Sequence, residues 1–245
     1  MAAWVFAAMV GFAPTEVAAA EPSILVQLPV LLVPFAGPIV VLESRRGEAE
    51  LEYYAPYPYA NGENGVLRID RIRRKPGRKR FALQGAVDVG ILSGLSEDRL
   101  RQRVALRLQG PTRFELRGAL SSFGDRTKFG LRPGPVQTDV TGAVRFAESQ
   151  RMHFVTGLGL THIGDRLKSA RQGVHMLYGV ALYPERPFTV EAQIRAGALS
   201  GELLFDWRVR GGVALGRVEL FLGYSSQRVS TLTEGGYHAG LRLWV

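Results

Sequence analysis

The sequence predicts an all-β fold: an antiparallel transmembrane β-barrel of about ten strands, preceded by an N-terminal signal and an irregular segment. Three observations predict it. From Phe81 to Val245 apolar and polar residues alternate in segments of about ten residues, the length that crosses a bilayer as a tilted strand. The charges within those segments fall on one face. The connections between them are alternately short and long.

Composition supports this class. Hydrophobic residues make up 46% of the chain, yet after residue 50 no run of about 18 uncharged apolar residues occurs, which argues against a bundle of membrane helices. Of the 29 glycines, 13 fall inside the alternating segments, where they suit curved or closely approached strands. Cysteine is absent, so disulfide frameworks, thiol nucleophiles and thiolate metal sites drop out. The formal net charge of +9 raises nucleic acid or an anionic membrane as partners, and its meaning depends on where the arginines point.

Residues 1–20 are expected to be a signal peptide. AAWVFAAMVGFAPTEVAAA is apolar and ends in Ala18-Ala19-Ala20 before Glu21, a small-residue cleavage pattern. The usual positive n-region is missing, which leaves an uncleaved anchor as the alternative. A second apolar stretch, Ile24 to Leu42, contains Pro29, Pro34 and Pro38, each of which removes a helix hydrogen bond. From Glu43 to Arg80 the chain is polar and turn-rich, with YYAPYPYANGENG followed by RIRRKPGRKR. Residues 21–80 are therefore expected to form a largely irregular extension, and 81–245 the barrel.

The ten segments span residues 81–91, 99–109, 113–122, 138–147, 151–162, 174–183, 188–199, 202–215, 217–226 and 236–245. Side chains alternate across a strand, so every second residue must suit the same surroundings. One face is apolar, as in Val218, Leu220, Leu222 and Tyr224, or Phe188, Val190, Ala192 and Ile194. The other face carries the charge. Parity places Arg101, Arg103, Arg107, Arg117, Arg145, Arg151, Arg195, Arg208, Arg210, Arg217 and Arg242 there, with the acids Asp88, Glu115, Asp139, Glu191, Asp206 and Glu219. A soluble lipocalin-like barrel also alternates, with its apolar face turned inward.

The tight connections are QGPT, AESQ, YPERP and ALGR. The others are residues 92–98, 123–137, 163–173 and 227–235, with a short break at Ser200-Gly201. A membrane barrel with turns on one side and loops on the other has this rhythm, and an even strand number puts both ends of the barrel on the turn side. Outward aromatics fall at strand ends, as interfacial girdles do. Phe81, Phe114, Phe146, Phe154 and Phe188 lie near the turn side; Phe205, Trp207, Tyr224 and Tyr237 lie near the loop side.

The last segment, GYHAGLRLWV, resembles the final strand of Gram-negative outer-membrane β-barrel proteins, which alternates and carries an aromatic residue at or near its end. Val245 stands where the terminal Phe is usual, with Trp244 one position earlier on the opposite face. The resemblance covers about residues 81 to 245 as a pattern. It implies residence in the outer membrane, contact with outer-membrane lipid, recognition by the barrel-assembly machinery, and a periplasmic N-terminal segment.

A ten-stranded ring is narrow, since eight strands already leave an interior that side chains fill. The expected lumen is therefore filled and ion-paired, with a structural or interaction role for the protein. The surplus of inward arginines supports a narrow anion-preferring pore as the alternative. A lipid-active enzyme needs a constellation. Outer-membrane proteases carry paired acids with an Asp-His couple, and lipid A deacylases carry a His and a Ser two residues apart; neither motif is present. The nearest grouping is His175, Asp206 and His238, which sequence alone reads as lumenal structural residues. No catalytic, cofactor or metal residue is assigned, and no H-x-H pair occurs. Two loops are basic, with Arg126, Lys128 and Arg132 in one and Arg166, Lys168 and Arg171 in the other. They suit lipopolysaccharide phosphates, and RIRRKPGRKR suits anionic headgroups. Without a recognition motif, nucleic acid is not expected as a partner.

Overall fold

A strand with one apolar and one polar face gains most when its neighbours present the same faces, and ten such strands here hydrogen-bond into a closed ring. The computed structural model describes residues 51–55, 57–60, 65, 67–70, 82–93, 98–109, 113–127, 130–149, 151–164, 170–230 and 232–245. The expected signal peptide, the second apolar stretch, RIRRKPGRKR, Phe81, Lys128, Arg166 and Lys168 lie outside them.

In chain order, β1 (Leu51–Tyr54) and β2 (Leu67–Asp70) pair with each other as a separate antiparallel sheet. The barrel consists of β3 (Ala82–Ser93), β4 (Asp98–Gln109), β5 (Phe114–Thr127), β6 (Gly130–Glu148), β7 (Met152–Gly164), β8 (Arg171–Leu182), β9 (Phe188–Leu199), β10 (Glu202–Leu215), β11 (Val218–Val229) and β12 (Leu232–Trp244). Each pairs antiparallel with its sequence neighbours, and β12 closes the ring against β3. There Leu83 and Val245 exchange backbone hydrogen bonds of 3.3 and 2.8 Å. The expected antiparallel barrel of ten strands is thus met. We call the end at which β3 starts and β12 finishes the terminal end, and the other the far end.

The far end differs from expectation. Residues 123–137, expected as a loop, continue the β5–β6 ladder as far as Thr127↔Gly130, and β11 and β12 continue to Val229↔Leu232. A hairpin standing clear of a membrane needs no apolar face, so its sequence carries no alternation. Arg126 and Arg132 consequently lie within strands. Between Ser122 and Gly124 the register shifts, and Pro133 and Pro135 are accommodated beside this bulge. Gly134 is required there, because a Cβ would lie 2.8 Å from the Phe123 carbonyl oxygen. The Leu199–Glu202 turn has φ of 49° at Ser200 and 86° at Gly201, positive at both central positions, as a two-residue type I′ hairpin demands.

The two faces of the wall decide the surroundings. Val104, Leu106, Val140, Leu158, Leu222 and Leu241 are exposed on the outside, Leu158 by 72%, while Asp88, Arg101, Glu115, Asp139 and Arg145 are buried inside. A soluble barrel buries its apolar face. Here that face is outermost and circles the ring, far more apolar surface than a water-soluble monomer exposes, so the lipocalin-like alternative does not fit. Outward rings cluster towards each end: Phe146, Phe154 and Tyr178 at centroid distances of 5.9 to 6.5 Å near the terminal end, and Trp207, Tyr224 and Tyr237 at 5.4 and 5.1 Å near the far end. Phe114 and Phe188 are exposed at the terminal end and Phe205 at the far end.

An arginine placed at mid-height on the outer face has no partner in hydrocarbon. Val104→Arg is expected to lower the unfolding free energy in lipid vesicles by about 2–4 kcal/mol, and Val104→Ala by much less, as measured by urea denaturation.

Candidate functional site

The lumen is the site that the fold builds, and it is organised in layers along the axis. At the terminal end Tyr59, Ala181, Tyr183, Ala214 and Trp244 form a buried apolar cluster, with Tyr57 packed against it. Tyr59 comes from the N-terminal extension. Its ring meets Tyr183 edge-on at 6.3 Å, and its hydroxyl donates to the Phe188 carbonyl. Tyr59 holds φ at 63°, a left-handed conformation that costs a non-glycine residue about 1–2 kcal/mol. The Tyr59 amide donating to the Gly65 carbonyl at 3.2 Å helps to hold it. Burial, and secondarily the charge of Glu219, push the Tyr59 hydroxyl up to about 12.

Above this layer lies an ionic cluster centred on Glu191. Its carboxylate accepts from Arg107 at 2.5 Å, Arg210 at 2.6 Å and Arg242 at 3.0 Å. Arg242 also reaches Glu219 at 3.1 Å, which Thr189 approaches at 2.9 Å. Glu115 takes Arg117, with Arg107 at 3.4 Å and Gln109 at 3.2 Å. The Arg210 and Arg242 guanidiniums lie 5.1 and 6.0 Å from the centre of the Phe221 ring, so part of this charge rests on an aromatic face.

Towards the far end a second cluster forms around Arg195, which bridges Asp139 at 2.8 Å and Asp206 at 2.6 Å. Thr161 donates to Asp139 at 2.8 Å, and Gln137 supports it at 3.1 Å. Asp88 and Arg101 make a longer pair of 3.8 Å. His175 has Thr141 and Thr161 at 2.9 Å on its two ring nitrogens. His238 packs edge-on against Phe221 at 6.3 Å, and Asp206 is held by Arg195. The grouping of His175, Asp206 and His238 is therefore not assembled as a general base with its orienting acid.

Parity misplaces two arginines. Arg151 and Arg217 are exposed in turns at the terminal end, where alternation between two faces no longer holds. It also misses an acid. The register shifts between Arg145 and Ala147, which sets Ala147 opposite Phe154 and Glu148 opposite His153. Glu148 is thereby buried and pairs with Arg145 at 3.0 Å. Arg171, from the second basic loop, heads β8 and makes an exposed pair with Glu202 at 3.1 Å. Between the two clusters Arg103 and Arg208 are buried, and neither makes an ion pair or hydrogen bond among the described residues.

No family model and no curated protein matches the sequence. Solved structures do match, among them the following three. Neisserial surface protein A is 12% identical, with 66% of this chain and 96% of that one aligned at a TM-score of 0.35. The beta domain of the Bordetella autotransporter BrkA is 10% identical over 66% of this chain and 98% of that one, at 0.38. CdiB from Acinetobacter baumannii is 11% identical over 74% and 44%, at 0.35. The likeness is one of fold alone. The chain has the architecture of a small outer-membrane β-barrel: an even number of antiparallel strands, an apolar exterior and a polar lumen.

Two variants probe the layers. Glu191→Gln leaves three buried guanidiniums short of their shared carboxylate and is expected to cost about 3–5 kcal/mol in denaturant unfolding. Tyr59→Phe keeps the ring but loses the bond to Phe188, at about 1 kcal/mol. The folded value of the Tyr59 hydroxyl lies above its ordinary 10.0, so docking of this residue is fully stable below pH 10 and weakens as the pH rises through 12. Fluorescence of the neighbouring Trp244 is expected to report that loss in the wild type, and Tyr59→Phe to abolish this pH dependence.

Proposed function

We propose that the protein resides in the outer membrane of a Gram-negative bacterium as a filled barrel with a structural or interaction role. The observation that carries this reading is the crossing of the lumen by the Glu191 cluster, backed at the terminal end by the Tyr59, Tyr183 and Trp244 layer. In the same reading the terminal end faces the periplasm, because the chain between alternating segments is short there and mostly longer at the far end, and barrels of this kind keep their short turns on that side. Residues 57–60 then act as a periplasmic stopper. The apolar wall contacts outer-membrane lipid, β12 presents the closing strand to the barrel-assembly machinery, and far-end arginines such as Arg171 meet lipopolysaccharide phosphates.

The surplus of buried arginine supports one other reading, a narrow anion-preferring pore. Recording in planar bilayers separates them. The filled reading expects fractionation with outer membranes, faster gel migration when unheated, and no stepwise current. Anion-selective steps would establish the pore, and recovery from the soluble periplasm would overturn both.

A further inference from the structure

We propose that the middle of the lumen binds one divalent tetrahedral oxyanion, of the class of hydrogen phosphate or sulfate, between Arg103 and Arg208. Arg103 stands on β4 and Arg208 on β10, with β3, β12 and β11 between them on one side and β5 to β9 on the other. They therefore reach in from opposite walls. Both line a cavity of about 60 Å³, several times the roughly 15 Å³ that admits one water. Arg103 is 8% exposed and Arg208 4%, and neither has a carboxylate or hydrogen-bond partner among the described residues. A buried guanidinium without a counter-charge costs several kcal/mol, so the site calls for a partner.

The wall specifies the sign of that partner. Its unpartnered polar atoms are Nε2 of Gln84, Nε of Arg103, Arg195, Arg208 and Arg210, and one terminal nitrogen of Arg208. Every one is a donor. The acid in the wall, Asp139, is already engaged by Arg195, Gln137 and Thr161. What is missing is an acceptor. Charge then selects among acceptors. Between the terminal-end turns and the Arg99–Glu234 pair at the far end, seven lumenal arginines make ion pairs with seven carboxylates among the described residues, and the two arginines left over are Arg103 and Arg208. Water accepts but leaves the charge uncancelled, and chloride or a single carboxylate cancels half of it. A divalent tetrahedral oxyanion cancels all of it and presents oxygens to guanidinium forks on both sides. This inference rests on a lumen that retains its ligand and does not conduct it.

The test uses the full chain folded in detergent micelles, in buffer free of phosphate and sulfate. Thermal unfolding is followed with increasing sodium phosphate, with sodium sulfate, and with sodium chloride at matched ionic strength. A rise that grows with the logarithm of phosphate or sulfate concentration above the Kd, and none with chloride, is expected, since a ligand that binds only the folded state stabilises it by RT times the logarithm of one plus its concentration over Kd. Arg103→Gln and Arg208→Gln are each expected to weaken the apparent Kd about tenfold or more, while Arg217→Gln, in an exposed turn, leaves it unchanged. Each lumenal variant removes an unpaired buried charge and is expected to be at least as stable as wild type without ligand. Should they not fold, titration calorimetry of the wild type decides: one phosphate per chain supports the site, and none overturns it. An equal rise with chloride, no rise, or an undiminished rise in the double variant also overturns it. Bilayer current bears on the filled-lumen reading, and saturable binding without current supports both.

Discussion

Inside a ring of ten strands there is too little room for bulk water, and outside it there is hydrocarbon, so a charge that points inward has to find its counter-charge within the lumen. The rest of the lumen is arranged around that constraint. Backbone ladders join each strand only to its neighbours. Glu191 on β9 draws in Arg210 from its neighbour β10, and Arg107 from β4 and Arg242 from β12, two strands with which β9 shares no ladder. Arginine suits this work better than lysine. Its planar fork addresses two carboxylates at once, as Arg195 does with Asp139 and Asp206, and its face rests on rings such as Phe221.

Filling a narrow lumen with long side chains requires space to be removed elsewhere in the same layer. His175 shows how. Its cross-strand neighbours are Gly159 on β7 and Gly197 on β9, and a Cβ at those positions would lie 2.5 Å from its Nε2 and 2.7 Å from its Cα respectively. Gly159 and Gly197 are thus one half of a packing pair with His175, which explains why these strands tolerate a residue that weakens strands.

The barrel was legible in the sequence because alternation reports directly on a wall with two unlike sides. Val104 and Arg103 are adjacent in the chain and face opposite surroundings, and parity separates them without further information. Legibility fails wherever the backbone departs from a period of two. Glu148 was missed because the bulge beside Phe146 reverses the parity of the residues after it. Arg151 and Arg217 were misassigned because a turn has no faces. The extended β5–β6 hairpin was hidden for a different reason, since strands outside the membrane need no alternation. Tyr59 was invisible because its partners, Tyr183 and Trp244, lie more than a hundred residues away, and the one local cue was a turn-rich run of tyrosine and proline. Within the lumen parity gave the occupants, but which arginine meets which acid depends on register and reach around a closed ring.

That pairing leaves charge unevenly distributed along the axis. Near the terminal end Arg107, Arg117, Arg210 and Arg242 face Glu115, Glu191 and Glu219, one positive charge in excess. Towards the far end Arg101 and Arg195 face Asp88, Asp139 and Asp206, one negative charge in excess. Arg103 and Arg208 stand between them. In a soluble protein salt would screen such a separation within about 8 Å, but a lumen walled by lipid has little mobile salt to do so. The far cluster's excess attracts the two central arginines without lying within ion-pairing distance of either, so it offsets part of their cost and satisfies none of their donors. The centre of the barrel is thus where electrostatics and hydrogen bonding, elsewhere solved together by the same ion pairs, come apart.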